Sequence, residues 1–254
     1  MSDSFITTDY STSYLCHITI DRLAAKNALT SVMYLELADL LEQCDIDENI
    51  RVVLISGNEE VFCAGNDLSD FMHNKPQDTQ APPFKFLLAL NQFSKPLIAA
   101  TAGPAIGIGT TMLLHCDHVV SANNTLFKMP FVQLGLTPEG GSSLLLNNLI
   151  GHRQASELLM LGASFDSERA FAMKLINQVC DPDELFDKAL KICQQYSSQA
   201  PKALQAAKTL MKAPFIKQIE QVILDEGKVF IERLHDNEVK EALIAIKEKR
   251  APKF

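Results

Sequence analysis

Lys95-Pro96-Leu97-Ile98-Ala99-Ala100-Thr101-Ala102-Gly103-Pro104-Ala105-Ile106-Gly107-Ile108-Gly109 carries the pattern that decides how this chain folds. The apolar run 95–100 reads as a buried strand, and the glycines after it read as a turn that opens a helix from about Gly109 to Cys116. The same pattern lies upstream, with Val52-Val53-Leu54-Ile55-Ser56-Gly57 leading to Cys63-Ala64-Gly65-Asn66-Asp67. A strand–glycine turn–helix unit leaves backbone N–H groups without partners where the helix starts, aimed at whatever lies there. Two such turns in one fold can direct two donors at one oxygen, which is an oxyanion hole. Farther on, Thr137-Pro138-Glu139-Gly140-Gly141 holds a lone carboxylate in a turn that opens another helix. Two N–H donors and one carboxylate suffice to move a proton beside a carbonyl. Either loop alone is an ordinary α/β turn. The second is no dinucleotide fingerprint, because Gly107 and Gly109 lack a G-x-G-x-x-G frame and no acidic residue follows about twenty positions on.

Around these loops the chain alternates strand and helix. Tyr14–Ile20 alternates as a strand with one buried face, and Thr30 or Ser31 can cap a helix running to about Asp45. Arg51–Gly57 is a near-continuous apolar run, typical of a strand covered on both faces. Met72–Pro83, with three prolines, reads as a mobile flap, and 84–93 as a helix. A strand at 118–121, short extended pieces over 125–135 and helices near 140–150 and 152–161 follow. The alternation implies a mostly parallel, wound sheet. Strand signals nearly vanish after Asp166, and helical periodicity runs to Lys249. The expected division is a core over 1–198 and a helical region over 199–254.

The 254 residues allow a sizeable core, and 47% hydrophobic with 21% charged residues is ordinary globular composition. A net charge of -8 argues against nucleic acid or an anionic membrane as the main partner. Met1-Ser2-Asp3-Ser4-Phe5 has no basic stretch leading into an apolar run, and no apolar stretch is long enough to span a bilayer, so a soluble cytoplasmic protein is expected. The six cysteines have no metal-ligand spacing and read as buried, reduced thiols. His115 and His118 read as structural, and no metal is expected.

These segments resemble the crotonase (enoyl-CoA hydratase/isomerase) superfamily over essentially the whole chain. The resemblance rests on Arg22–Leu29, Val61–Leu68, Lys95–Asp117, Phe131–Pro138 and Glu248–Pro252, five motifs in the family's order and spacing. It implies an α/β fold, a spiral of stacked ββα units with C-terminal helices mediating a homotrimer or dimer of trimers. It also implies an acyl-CoA thioester substrate, with no cofactor beyond the coenzyme A of that substrate. By the same resemblance the N–H groups of Asn66 and Ile108 form the oxyanion hole. Lys26, Ala28, Cys63, Ala64, Gly65, Asp67, Leu68, Gly107, Gly109, Phe131 and Leu136 would line the substrate. Asp67 also reads as the cap of a helix beginning near Leu68. Where the family often has an aromatic residue near the C-terminus, Ile246 stands.

The carboxylates separate the possible reactions. The family's hydratases hold a water between two glutamates, and the corresponding positions here are Thr111 and Phe131. Thr137-Pro138-Glu139-Gly140-Gly141-Ser142-Ser143 instead resembles the Ser-Pro-Glu-Gly-Cys-Ser-Ser stretch of peroxisomal-type Δ3,Δ2-enoyl-CoA isomerases, whose glutamate is the base. The expectation is therefore an isomerase in which Glu139 takes a proton from C2 and returns it to C4. Alternatives are another crotonase chemistry (a thioesterase or dienoyl-CoA isomerase) and an acyl-CoA-binding protein without turnover. Glu139 as a helix N-terminal acid stabilised by the dipole is the reading without function.

Overall fold

Alternation in one segment and continuous apolar runs in two others put three neighbouring strands into one sheet, as their patterns require. In the computed structural model, which describes residues 4–254, the sheet runs in the order β1 (Ile6–Asp9), β2 (Leu15–Ile20), β3 (Val52–Ser56), β4 (Leu97–Thr101), β6 (His118–Ala122) and β9 (Gln178–Cys180). The reading of Met1–Asp3 lies outside the described residues. Only β1 runs antiparallel to its neighbour. A smaller sheet orders β5 (Pro104–Ile106), β7 (Leu126–Lys128) and β8 (Phe165–Asp166).

The chain passes repeatedly from the large sheet to the small layer and on to a helix. β4 leads to β5 and the helix Ile108–Thr111, and β6 leads to β7 and a 3-10 turn at Val132–Leu134. The two earlier turns of the chain reach the same layer through isolated parallel bridges, Leu29 with Asn66 and Cys63 with Ala105. This is the spiral of ββα units that the resemblance implies.

Both faces of the large sheet are covered. Ile18, Ile20, Val53 and Ile55 pack with Leu37 and Leu41 of helix Ser31–Ile46 and with Phe86 and Leu90 of helix Pro82–Gln92. On the other face Leu54, Ile98 and Val120 meet Leu185, Ala189 and Cys193 of helix Leu185–Ser197. Thr30 caps the first helix by accepting from the Met33 N–H. All six cysteines are free, and Cys116 alone is not fully buried.

Several elements depart from the sequence reading. β9 lies beyond Asp166, where no strand is expected; three residues are too short to show a period, and pairing with β6 makes the strand. The stretch 109–116 is one α-helical turn, Ile108–Thr111, followed by a 3-10 turn, Met112–His115. Only 126–128 of the expected extended pieces over 125–135 is a strand. Helix Pro82–Gln92 begins inside the segment read as a flap. The C-terminal helices pack on this core: of the apolar residues Phe215, Ile219, Val222, Ile223, Phe230 and Ile231 that read as surface for a partner, Ile219, Ile223 and Phe230 are buried within the chain and Phe215 is exposed. Lys208 of helix Pro201–Lys212 is also buried, donating to the Lys95 carbonyl and to Asp117, each at 2.6 Å.

Cys63 joins the two glycine loops. Its N–H donates to the Pro104 carbonyl at 3.0 Å and its carbonyl accepts from the Ile106 N–H at 2.8 Å. Gly109 lies so close that a Cβ there would sit 2.5 Å from the Cys63 carbonyl oxygen. Gly109→Ala should therefore push the loops apart and cost about 2 kcal/mol, as overpacking does. Urea unfolding measures this; a change below about 0.5 kcal/mol would show that the seam yields freely.

Candidate active site

Glu139 is held in a tight turn. Gly140 and Gly141, with φ of +74° and +72°, adopt the left-handed conformation that glycine takes without strain. The turn delivers the carboxyl side chain, 7% exposed, into a small cavity. Its other walls are Tyr34, Asn66, Phe71, Pro83, Phe84, Leu87 and Phe230. Glu139 is the one carboxylate among these lining residues. Burial pushes its carboxyl up to about 8; a hydrogen bond from Thr111 works in the opposite direction, and the like charge of Glu226 adds to the rise. Thr111 Oγ1 donates to Glu139 Oε1 at 2.5 Å. On the far side of the turn, His115 Nε2 donates to the Gly140 carbonyl at 2.8 Å. Burial lowers the His115 pKa to about 4, so the ring is neutral there.

The two loops supply the donors. The Gly107 N–H donates to the Lys128 carbonyl and the Asp67 N–H to the Leu29 carbonyl, whereas the N–H groups of Asn66 and Ile108 have no acceptor among the described residues. Ile108 starts its helix, which accounts for its free N–H. The Asn66 side chain is engaged separately: Tyr34 Oη donates to Asn66 Oδ1 at 2.5 Å. Burial and the nearby Glu139 charge raise the Tyr34 pKa well above its usual value, so Tyr34 acts as a neutral donor.

The other residues read from the sequence fall into two groups. Cys63, Ala64, Gly65, Gly107 and Gly109 build the loop backbones that meet at the Cys63–Ala105 bridge. Phe131 is buried, with its ring 3.9 Å from where a Cβ on Gly107 would lie. Ala28 and Leu136 are buried, and Lys26 is exposed on the turn whose carbonyl accepts from the Ala64 N–H. Leu68 is exposed as the first residue of helix Leu68–His73. Asp67 and Asp70 stay out of the cavity. Asp67 caps that helix through the Asp70 N–H and pairs with Arg22 at 2.6 Å. Burial works against the Asp67 charge, but these contacts outweigh it and hold the carboxyl below its usual range. Asp70 accepts from the Ser31 N–H and hydroxyl. Cys63 is no nucleophile, since burial pushes its thiol up to about 12.

Sequence reasoning missed Tyr34, His115 as a support for the Glu139 turn, and Glu226. Each reaches the site from far along the chain with no local motif. Among the described residues no group of three or more His, Cys, Asp or Glu is placed to hold a metal ion, and no helix is long and apolar enough to cross a membrane.

The same architecture recurs in known proteins. The Pseudomonas aeruginosa protein OdaA is 44% identical, covers 96% of this chain and 98% of its own, and superposes with a TM-score of 0.93. An enoyl-CoA hydratase/isomerase from Pseudoalteromonas atlantica is 37% identical over 99% of this chain and 100% of its own, also with a TM-score of 0.93. The 2,3-dehydroadipyl-CoA hydratase of Escherichia coli is 32% identical over 238 residues, 93% of either chain. The family described as "Enoyl-CoA hydratase/isomerase" matches residues 11–254. By its spiral fold, its paired glycine loops and this match over nearly its full length, the chain belongs to the enoyl-CoA hydratase/isomerase family.

Proposed function

We propose that this protein is an enoyl-CoA isomerase that shifts the double bond of a 3-enoyl-CoA to the 2-trans position. The observation that carries this reading is Glu139, the single carboxylate among the residues that line the cavity. The thioester oxygen would lie between the Asn66 and Ile108 N–H groups. The ionised Glu139 takes a proton from C2, and the electron pair left behind spreads over the thioester as a dienolate. The protonated carboxyl then gives that proton to C4 as the double bond settles between C2 and C3. One group performs both transfers because they occur in sequence. The coenzyme A enters as part of the substrate.

The name of the Escherichia coli relative points to hydration instead. Hydration needs a second acid or base to handle water, and here Thr111 is spent on Glu139 while Phe131 has no ionisable group. Incubation with 3-enoyl-CoA and, separately, with 2-enoyl-CoA separates the two. Double-bond movement without 3-hydroxyacyl-CoA is expected, and efficient hydration would overturn the isomerase reading.

Glu139→Gln should lower isomerase turnover by at least ~100-fold while the protein still folds and binds CoA. A variant keeping a third of wild-type turnover would make Glu139 structural. Because the base must be ionised, kcat/KM should rise with pH and level off above about 8, the value set by burial of Glu139. Stability should show the opposite face of the same burial. The native carboxyl keeps a proton that the unfolded chain, with its usual value of 4.5, releases, so the penalty grows from there up to about 8. Glu139→Gln should thus be more stable than wild type at pH 8, by a few kcal/mol at most, and equal to it below pH ~4.

Ile108→Pro deletes one oxyanion donor and should cost roughly 100- to 1,000-fold in turnover in a folded, CoA-binding protein. Near-normal turnover would place the hole elsewhere.

We further read the protein as a cytoplasmic homotrimer or dimer of trimers. The family resemblance motivates the assembly, and Leu210 and Met211, 74% and 70% exposed, leave apolar surface for it. Sedimentation of a species near 28 kDa at micromolar concentration would refute the assembly.

A further inference from the structure

The turn that carries Glu139 opens helix Ser142–Ile150, and no residue of that turn caps the helix: Gly141 stands at the N-cap without a side chain. The first amides of the helix still need acceptors. A carboxylate from a distant part of the chain supplies them. Glu226, on helix Ile216–Arg233, accepts from the Gly141 N–H at 2.6 Å through Oε2 and from the Ser143 N–H at 2.9 Å through Oε1. The same helix face holds the turn by packing. A Cβ on Gly141 would lie 3.3 Å from Ile219 and 3.4 Å from Ile223, so the turn rests directly on the helix. One turn beyond Glu226, Phe230 forms a wall of the cavity.

We propose that Glu226 is a positioning residue, fixing from the C-terminal region the turn through which Glu139 reaches the substrate. The inference rests on Glu139 being the base. Two bonds from one carboxylate fix both the position and the tilt of the turn, which a single acceptor could not do. Thr111 grips the carboxyl of Glu139 and His115 the carbonyl of Gly140, so Glu226 completes a three-sided hold.

The hold has an electrical consequence. Glu139 is faced by the Thr111 hydroxyl from helix Ile108–Thr111, by the Tyr34 phenol from helix Ser31–Ile46 and by the Cys63 thiol from the first loop, none of them charged near neutrality. The His115 ring behind Gly140 is neutral too. Glu226 is the carboxylate that acts on Glu139; burial raises its own pKa, and when ionised it disfavours ionisation of the base as a like charge.

The test titrates the Glu139 carboxyl directly by infrared difference spectroscopy on full-length protein without substrate. Its band is identified by its loss in Glu139→Gln, made in the wild-type and the Glu226→Gln backgrounds. Glu226→Gln should move this titration toward lower pH by ~0.5 unit or more, and the acid limb of kcat/KM should follow it. A purely structural cap would lower stability and leave the titration in place, and a titration unmoved in folded Glu226→Gln overturns the proposal. Glu226→Asp keeps the charge but withdraws it by one methylene, so kcat should fall about threefold to tenfold, as misplaced catalytic groups do. Full wild-type kcat in Glu226→Asp would also overturn it. A shifted titration in a protein with no isomerase turnover would sink the assignment of the reaction and leave the role of Glu226 standing.

Discussion

The pairing of Cys63 with the Pro104–Ile106 strand holds two separate loops in one register, and the geometry of the site follows from it. Both backbone groups of Cys63 are spent on this bridge, and the Gly107 N–H is spent on Lys128. Among the described residues the N–H groups of Asn66 and Ile108 are left without an acceptor. Such donors are backbone groups that the fold leaves unsatisfied. Gly109 belongs to this seam because any side chain would meet the Cys63 carbonyl. Its requirement for glycine is therefore one of close packing as much as of ligand access.

The proposed base, Glu139, obeys a different constraint. A buried carboxylate is costly to ionise, and burial is the leading cause of its raised pKa. The protein sustains this by surrounding the turn with directional contacts. Thr111, His115 and Glu226 come from three elements, and each bonds to a different residue or group of the 139–143 turn. Thr111 stands where the resemblance to the family's hydratases would place a glutamate. A hydroxyl there orients the one carboxylate and adds no second one.

The C-terminal helices are part of this arrangement. Helix Ile216–Arg233 covers helix Pro82–Gln92, approaching so closely at Gly227 that a Cβ would lie 2.8 Å from the Phe84 ring. Phe84 and Phe230 then stand as neighbouring walls of the cavity. Part of an apolar stripe that reads as surface for a partner is buried within the chain, and Phe230 from it walls the cavity. The periodic pattern is the same in both cases, because a helix must bury its stripe whichever surface covers it.

Much of this was legible in the sequence. Apolar runs before glycine turns marked β3 and β4, Thr30 marked a helix start, and the two loops and Glu139 marked the proposed reacting groups. Those signals are local: period, capping and turn chemistry act within a few residues. Asp67 was legible as a helix cap for the same reason. The short strands β8 and β9, the bond from Tyr34 to Asn66, the His115 contact and the reach of Glu226 across 85 residues to Gly141 were not. By itself the sequence determined the wound fold, the donor loops and the lone carboxylate. Only the tertiary structure decided how buried that carboxylate is, what grips it and which residues wall its cavity. Burial and long-range hydrogen bonds depend on the neighbours that folding brings together, and no local spacing encodes them.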